Sequence, residues 1–292
     1  MRNSVALASL VVVALASCSG EADEPGERAA TTSPAADSSS VREVTARVSG
    51  RTLSGHCRGA QGDGPAIVLE VGMAADADQN QLAVLEEDLA KQTAVCAYDR
   101  AGVGGSDPPA KTPRPLADVV ADLDAFIAGA NLEPPYFLVG FSAGGAIVFR
   151  YAQAHPETVA GFVSMNPVPP AKTFLQLARK VETNEEFEDE LAFFHRGENE
   201  EEIVFTATEQ MLTDPLAPTM PYAVMFDEDC GGDTEFCGRI LPPLTRVTKM
   251  LASVGASGRF VHAKGAGHNI FETEPEFVLK TIDEVLRETP SD

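Results

Sequence analysis

Gly140-Phe141-Ser142-Ala143-Gly144 sets a serine in the spacing G-x-S-x-G. An apolar run, Tyr136 to Val139, precedes it, and a helical stretch, Ala143 to Ala154, follows. That context predicts a sharp strand-to-helix turn, which only small flanking residues allow, here Gly140, Gly144 and Gly145. The turn would lift the Ser142 hydroxyl above the strand ends, with a helix N-terminus behind it to favour developing negative charge. A serine hydroxyl is a poor nucleophile until a neighbouring base takes its proton. The chemistry to look for is therefore acyl transfer through a serine acyl-enzyme. Without a base, the same five residues would be only a glycine-rich turn.

The base should follow the last strand. Gly265-Ala266-Gly267-His268-Asn269 fits, since two glycines let that loop fold back toward the serine. His56, His155, His195 and His262 sit in a hairpin, at a helix end, in an insertion and inside a strand, which are weaker positions. A carboxylate must hold the imidazole tautomer and stabilise the imidazolium. Asp227-Glu228-Asp229 directly follows the strand Tyr222 to Phe226, and chain order serine, acid, histidine is satisfied. Asp229 lies furthest past the strand end and is preferred; Asp227, Glu228 and Asp233 stay open. Two backbone N–H groups must receive the oxyanion. Ala143, the residue after the nucleophile, supplies one. Met73, in the loop Glu70-Val71-Gly72-Met73-Ala74, is the expected second, with Gly72 as fallback.

These residues need a scaffold. Val44 to Val48 and Arg51 to Cys57 read as a hairpin across Ser49-Gly50. Ala66 to Leu69, Thr93 to Tyr98, Tyr136 to Val139, Phe162 to Met165, Tyr222 to Phe226 and Phe260 to Ala263 read as further strands. Amphipathic helices are expected at 81–90, 116–128, 143–154 and 276–288, and over 241–254 after Pro242-Pro243. Strands alternating with helices imply an α/β fold, a mostly parallel sheet covered on both faces. Residues 171–220 break the alternation and read as a helical cap with 12 acidic and 4 basic residues, a net charge of −8.

The N-terminus reads as an address. Val5 to Ala16 is an apolar run of signal-peptide length, ending in Leu15-Ala16-Ser17-Cys18. This looks like a bacterial lipobox, with residues 1–18 as signal peptide and Cys18 as the lipidated residue; an ordinary secretory signal is the alternative. Residues 19–40 lack aromatic and β-branched aliphatic side chains and read as a disordered tether before a folded domain at 41–292. Both readings place the domain outside the cytoplasm, lipid-anchored to the cell membrane or secreted. Cys57, Cys96, Cys230 and Cys237 then suit an oxidising compartment. Three pairings exist, and proximity favours Cys230–Cys237, leaving Cys57–Cys96.

Composition excludes other classes. With 22 basic and 44 acidic residues the chain carries −22, which argues against nucleic acid and against anionic lipid as electrostatic partners. A mean hydropathy of −0.06 excludes a multi-spanning membrane protein. No paired CxxC stands ready for zinc, and no metal or organic cofactor is implied.

Taken together, Cys57-Arg58-Gly59, Val68-Leu69-Glu70-Val71-Gly72, Tyr98-Asp99-Arg100-Ala101-Gly102, Gly140-Phe141-Ser142-Ala143-Gly144-Gly145 and Gly267-His268-Asn269-Ile270 resemble the α/β-hydrolase superfamily, and its exported bacterial members most of all. The resemblance runs from about Arg51 to Leu286. It implies a sheet of about eight strands, Ser142 as nucleophile, His268 as base and an acid after Phe226. It also implies neighbouring second and fourth strands, which brings Cys57 and Cys96 together. Departures are Phe141 where relatives often have a polar residue, Glu70-Val71-Gly72 where they often have His-Gly, and Asn166 where they commonly show an aspartate. Asp99-Arg100 reads as a structural ion-pair hub. The function to expect is hydrolysis of a small ester-like substrate through a Ser-His-Asp triad. Amide, thioester or lactone hydrolysis, or non-catalytic ligand binding on the same fold, are the alternatives. Oligomeric state is not legible.

Overall fold

The computed structural model describes residues 40–62, 64–73, 81–227 and 234–289. The chain opens with the hairpin β1 (Val41–Val48) and β2 (Arg51–Arg58), turning at Ser49 and Gly50, both at positive φ as the twist of a two-residue hairpin requires. Then come β3 (Ile67–Glu70), α1 (Ala83–Leu89), β4 (Val95–Tyr98), a two-residue β5 (Arg114–Pro115), α2 (Leu116–Ala130), β6 (Tyr136–Phe141), α3 (Ala143–Ala154) and β7 (Val159–Met165). After β7 the chain runs through α4 (Ala171–Ala178), α5 (Asn184–Leu191), a π-helical turn (Ala192–Arg196), β8 (Ile203–Val204), a 3-10 turn and α6 (Gln210–Thr213). It closes with β9 (Tyr222–Phe226), α7 (Thr234–Leu251), β10 (Gly258–His262), α8 (Ile270–Thr273) and α9 (Pro275–Leu286).

Eight strands form one sheet in the order β1-β2-β4-β3-β6-β7-β9-β10, with β2 antiparallel to both neighbours and the rest parallel. Every residue of β3, β4, β6, β7 and β9 is buried, as unbroken apolar runs demand when helices cover both faces. On one face α2 and α3 bring Leu123, Phe126 and Phe149 onto the sheet. Phe149 meets Phe162 and Tyr222 edge-on at 5.1 and 5.8 Å, so its truncation to alanine would cost about 3–5 kcal/mol. On the other face Leu85 and Leu89 of α1, Phe271 of α8 and Ile282 of α9 pack on Phe137, Val163 and Met225.

Cys57 and Cys96 stand directly opposite in the β2–β4 ladder and are joined by a disulfide. Cys237 is also disulfide-bonded; its expected partner, Cys230, lies outside the described residues, as does Cys18.

One local expectation is corrected. The helix predicted to start after Pro242-Pro243 starts at Thr234 and runs through both prolines. The prolines remove two N–H donors, yet burial of Ile240, Val247 and Leu251 on one face keeps the segment helical. The pairing of β5 with β8 was not foreseen, because two-residue strands carry no periodicity. That pairing fastens the segment after β7 to the segment before α2.

Candidate active site

Ser142 occupies the turn between β6 and α3 at φ 55° and ψ −115°. A non-glycine residue is costly there, and three backbone bonds hold it in place. Its N–H donates to Met165 O at 2.9 Å, and its carbonyl accepts from Ala146 N at 3.3 Å and Val168 N at 3.1 Å. The flanking glycines are there for want of space: a Cβ on Gly140 would lie 2.3 Å from Gly144 O, and one on Gly144 would lie 2.0 Å from Glu70 O. The first N–H groups of α3, beginning with Ala143, have no carbonyl four residues back within the helix.

His268 sits in the loop between β10 and α8. Its ring packs on Phe141 at 4.9 Å, and Phe141 in turn meets Phe271 at 4.8 Å. Burial lowers the His268 pKa below the ordinary 6.5, which favours the neutral imidazole a base must be. Two side chains shape the loop beneath it. Asp227, at the end of β9 and almost fully buried, accepts the N–H of Gly265 at 2.9 Å on one oxygen and the N–H of Gly267 on the other. Asn166, past the end of β7, accepts the Asp227 N–H at 3.0 Å and donates to the His268 carbonyl at 2.7 Å.

Ser142, Asn166, Asp227 and His268 line one cavity of about 560 Å³. Its remaining wall is mostly apolar, with Phe174, Phe193 and Phe194 from the segment after β7 and Phe236, Ile240, Leu241 and Leu244 from α7. Asp189, Glu190 and Glu198 add three carboxylates at that wall. Glu190 is pushed up to about 7 by burial and by the neighbouring Glu182 and Asp189.

Below the serine turn lies the loop after β3. Gly72 N–H donates to Gln81 Oε1 at 3.0 Å. Met73 is half-buried against the core. Arg100, fully buried, donates to Val71 O at 2.7 Å and Gly72 O at 2.6 Å, pairs with Glu70 at 2.7 Å, and meets Glu201 through Nε at 2.8 Å and through Nη2. Burial pushes Glu70 up to about 6, against the pull of Arg100. Asp99, next to it, accepts the Gly105 N–H at 2.7 Å and so shapes a glycine turn on the protein's edge.

A family profile described as the alpha/beta hydrolase fold matches residues 65–200. Solved structures agree over most of the chain. A thermophilic esterase from Thermogutta terrifontis is 19% identical, with a TM-score of 0.56 over 86% of this chain and 99% of that one. The 2-hydroxy-6-oxo-6-phenylhexa-2,4-dienoate hydrolase of a Rhodococcus strain is 18% identical, with a TM-score of 0.58 over 85% and 99%. A bacterial membrane phospholipase A is 18% identical, with a TM-score of 0.56 over 85% and 86%. This chain is an α/β-hydrolase-fold protein. The uncharacterized protein YqjL of Bacillus subtilis is 28% identical over 104 residues, a match spanning 36% of this chain and 40% of that relative.

In this α/β-hydrolase-fold protein, Ser142 and His268 come to one cavity although 126 positions separate them in sequence. Asp227 comes with them, its two oxygens engaged by the histidine loop; Glu228, Asp229 and Asp233 lie outside the described residues. Ala143 heads α3 as expected of a donor. Gly72, the fallback donor, has its N–H taken by Gln81. Sequence reasoning missed Asn166 as a support for the histidine loop. It also missed Phe141, whose aromatic ring in place of a polar residue is the packing surface for His268. Among the described residues no cluster of His, Cys, Asp or Glu is arranged to hold a metal ion, and no helix is long and apolar enough to cross a membrane.

Proposed function

We propose that the chain is a serine hydrolase acting on small esters. The observation that carries this reading is Ser142, held at φ 55° on a strand-to-helix turn, in the same cavity as His268. Ser142 attacks the acyl carbon while His268 takes its proton. The N–H groups of Ala143 and Met73 receive the oxyanion. The protonated His268 then gives its proton to the leaving alcohol, and water, activated the same way, releases the acid. Asp229 is the proposed acid, with Glu228 as alternative. Asp227 is less suited because both its oxygens already hold backbone N–H groups.

The cavity supports an uncharged or cationic substrate with an apolar body. Its described lining holds four carboxylates, those of Asp189, Glu190, Glu198 and Asp227, and no lysine or arginine, so an anionic substrate would be repelled. Likeness in fold to an esterase and a phospholipase supports an ester over an amide, thioester or lactone. A ligand-binding role without turnover is the second reading; it leaves the strained serine and the histidine beside it in the cavity unexplained. We further propose that Cys18 is lipidated, so that residues 19–40 tether the domain to the cell membrane; plain secretion is the alternative.

The test is fluorophosphonate labelling of the wild type, Ser142→Ala and His268→Ala, together with release of p-nitrophenol from p-nitrophenyl butyrate. Labelling and turnover confined to the wild type support the reading. A folded wild type that neither labels nor turns over sinks it in favour of a binder. For the tether, Cys18→Ser should move the protein from the membrane to the soluble fraction; unchanged fractionation would refute lipidation.

A further inference from the structure

A trans peptide fixes its N–H opposite its carbonyl, so whatever grips a carbonyl aims the N–H of the next residue. Arg100 grips two consecutive carbonyls, those of Val71 and Gly72. The first grip aims the Gly72 N–H away from the guanidinium, where Gln81 Oε1 receives it. The second aims the Met73 N–H away from the guanidinium in turn. This stretch of chain lies against the first turn of α3, so close that a Cβ on Gly144 would lie 2.0 Å from Glu70 O and 2.6 Å from Val71 O. The serine turn begins that helix.

The guanidinium is itself aimed from two sides. Glu70, the last residue of β3, pairs with Nη1 at 2.7 Å. Glu201, in the segment between the π-helical turn and β8, takes Nε and Nη2. Arg100 and Glu70 are 0–1% exposed and Glu201 9%, so removing one charge strands another in a low-dielectric site. The segment after β7, which walls the cavity, is thus tied to the loop that carries Met73 through a single side chain. A second arm of the same network, Arg114 with Asp122 and Arg51, is equally buried at Arg114 and Asp122. Its hydrogen bonds join Arg51 and Arg114 to Asp122, and Arg114 Nη2 approaches Glu201 at 3.8 Å.

Resting on the serine-hydrolase reading above, we propose that Arg100 is the positioning residue of the oxyanion hole. It sets the Gly72–Met73 peptide so that the Met73 N–H faces the acyl oxygen, and Glu201 makes that setting depend on the insertion being seated. Arg100 touches no reacting atom. Its effect falls on the transition state, where negative charge builds on the acyl oxygen, and not on binding of the ground-state ester.

The experiment uses the full chain, with p-nitrophenyl butyrate kinetics and melting curves for the wild type, Arg100→Lys, Glu201→Gln and Asp122→Asn. Lysine keeps the charge but lacks the planar fork that spans two carbonyls. Arg100→Lys should lower kcat about 10²-fold, the loss typical of one missing oxyanion donor, with KM nearly unchanged. Glu201→Gln should show a smaller drop of the same kind. Asp122→Asn should lower Tm and leave kcat alone. A folded Arg100→Lys with wild-type kcat overturns the proposal, and so does an Asp122→Asn that loses kcat as Arg100→Lys does. Should Arg100→Lys fail to fold, Glu201→Gln decides, and unchanged kcat there overturns it. A wild type that does not turn over fails earlier and counts against the hydrolase reading itself.

Discussion

Asn166 donates its side-chain amide to the carbonyl of His268 at 2.7 Å. Its other end accepts the Asp227 N–H, so one side chain fastens the loop that carries the base to the loop where the acid is sought. Asn166→Ala removes both bonds. A displacement of the imidazole by about 1 Å would lower kcat on the order of 10²-fold, with the melting temperature much less affected. Steady-state kinetics beside a thermal melt checks this; unchanged kcat would show that Phe141 and the glycine loop hold His268 unaided.

The pH profile should reflect the partial desolvation of the His268 ring, which packs on Phe141. Its pKa lies below 6.5, so the imidazole stays neutral further into acid than a free histidine. Activity needs the neutral form. The acid limb of kcat/KM should therefore fall below pH 6.5, and an apolar-to-polar change beside the ring, Phe141→Gln, should move it upward. A limb above pH 6.5 in the wild type would contradict the stated environment.

A second titrating cluster concerns stability. Glu86, buried on α1, accepts from His56 Nε2 at 2.9 Å and from Arg58 Nε at 3.0 Å. The bond to Glu86 raises the His56 pKa above 6.5, against its burial. Burial pushes Glu86 upward, but His56 and Arg58 outweigh it and the pKa falls below 4.5. The raised histidine contributes fully below 6.5 and fades as pH rises through its folded value. The lowered glutamate contributes fully above 4.5 and fades as pH falls through its own. Between pH 4.5 and 6.5 both are present. Glu86→Gln should cost about 1–3 kcal/mol there and less toward alkaline pH, as read from urea melts across pH. A pH-independent cost would mean that packing, not charge, is what the substitution disturbs.

Removing the Cys57–Cys96 bridge should act on the unfolded chain more than on the site. The bridge spans 39 residues of sequence, and in the chain-entropy account its loss costs about 4 kcal/mol, less any strain it relieves. The double substitution Cys57→Ser with Cys96→Ser should lower Tm while leaving the fluorophosphonate labelling rate of the folded protein unchanged. A slower rate at full folding would tie the β2–β4 ladder to the Arg100 turn that follows it.

What could be read beforehand was what is written locally. Ser142 stands between small residues at the junction of an apolar strand and a helix, and His268 stands between a terminal strand and a terminal helix; both signals lie within a few residues. The contact of Arg100 with Glu201 lies 101 residues apart and has no local mark. Asn166 was recognised for what it cannot be, a carboxylate, and not for the two bonds its amide makes. The helix through Pro242-Pro243 escaped because a local rule, proline ends a helix, lost to the buried stripe of Ile240, Val247 and Leu251.

Those prolines reach further than the length of a helix. Neither Pro242 nor Pro243 has an N–H to give, so the usual bonds to the carbonyls of Gly238 and Arg239, four residues back, cannot form. The same helix supplies Phe236, Ile240, Leu241 and Leu244 to the cavity wall. On the sheet side the cavity meets strand ends, Ser142 just past β6 and Phe226 at the end of β9; on the α7 side two backbone rungs are missing beside Ile240 and Leu241. On the hydrolase reading proposed above, acyl groups of different girth would be accommodated by bending that one wall, while the strand ends that aim the serine keep their shape.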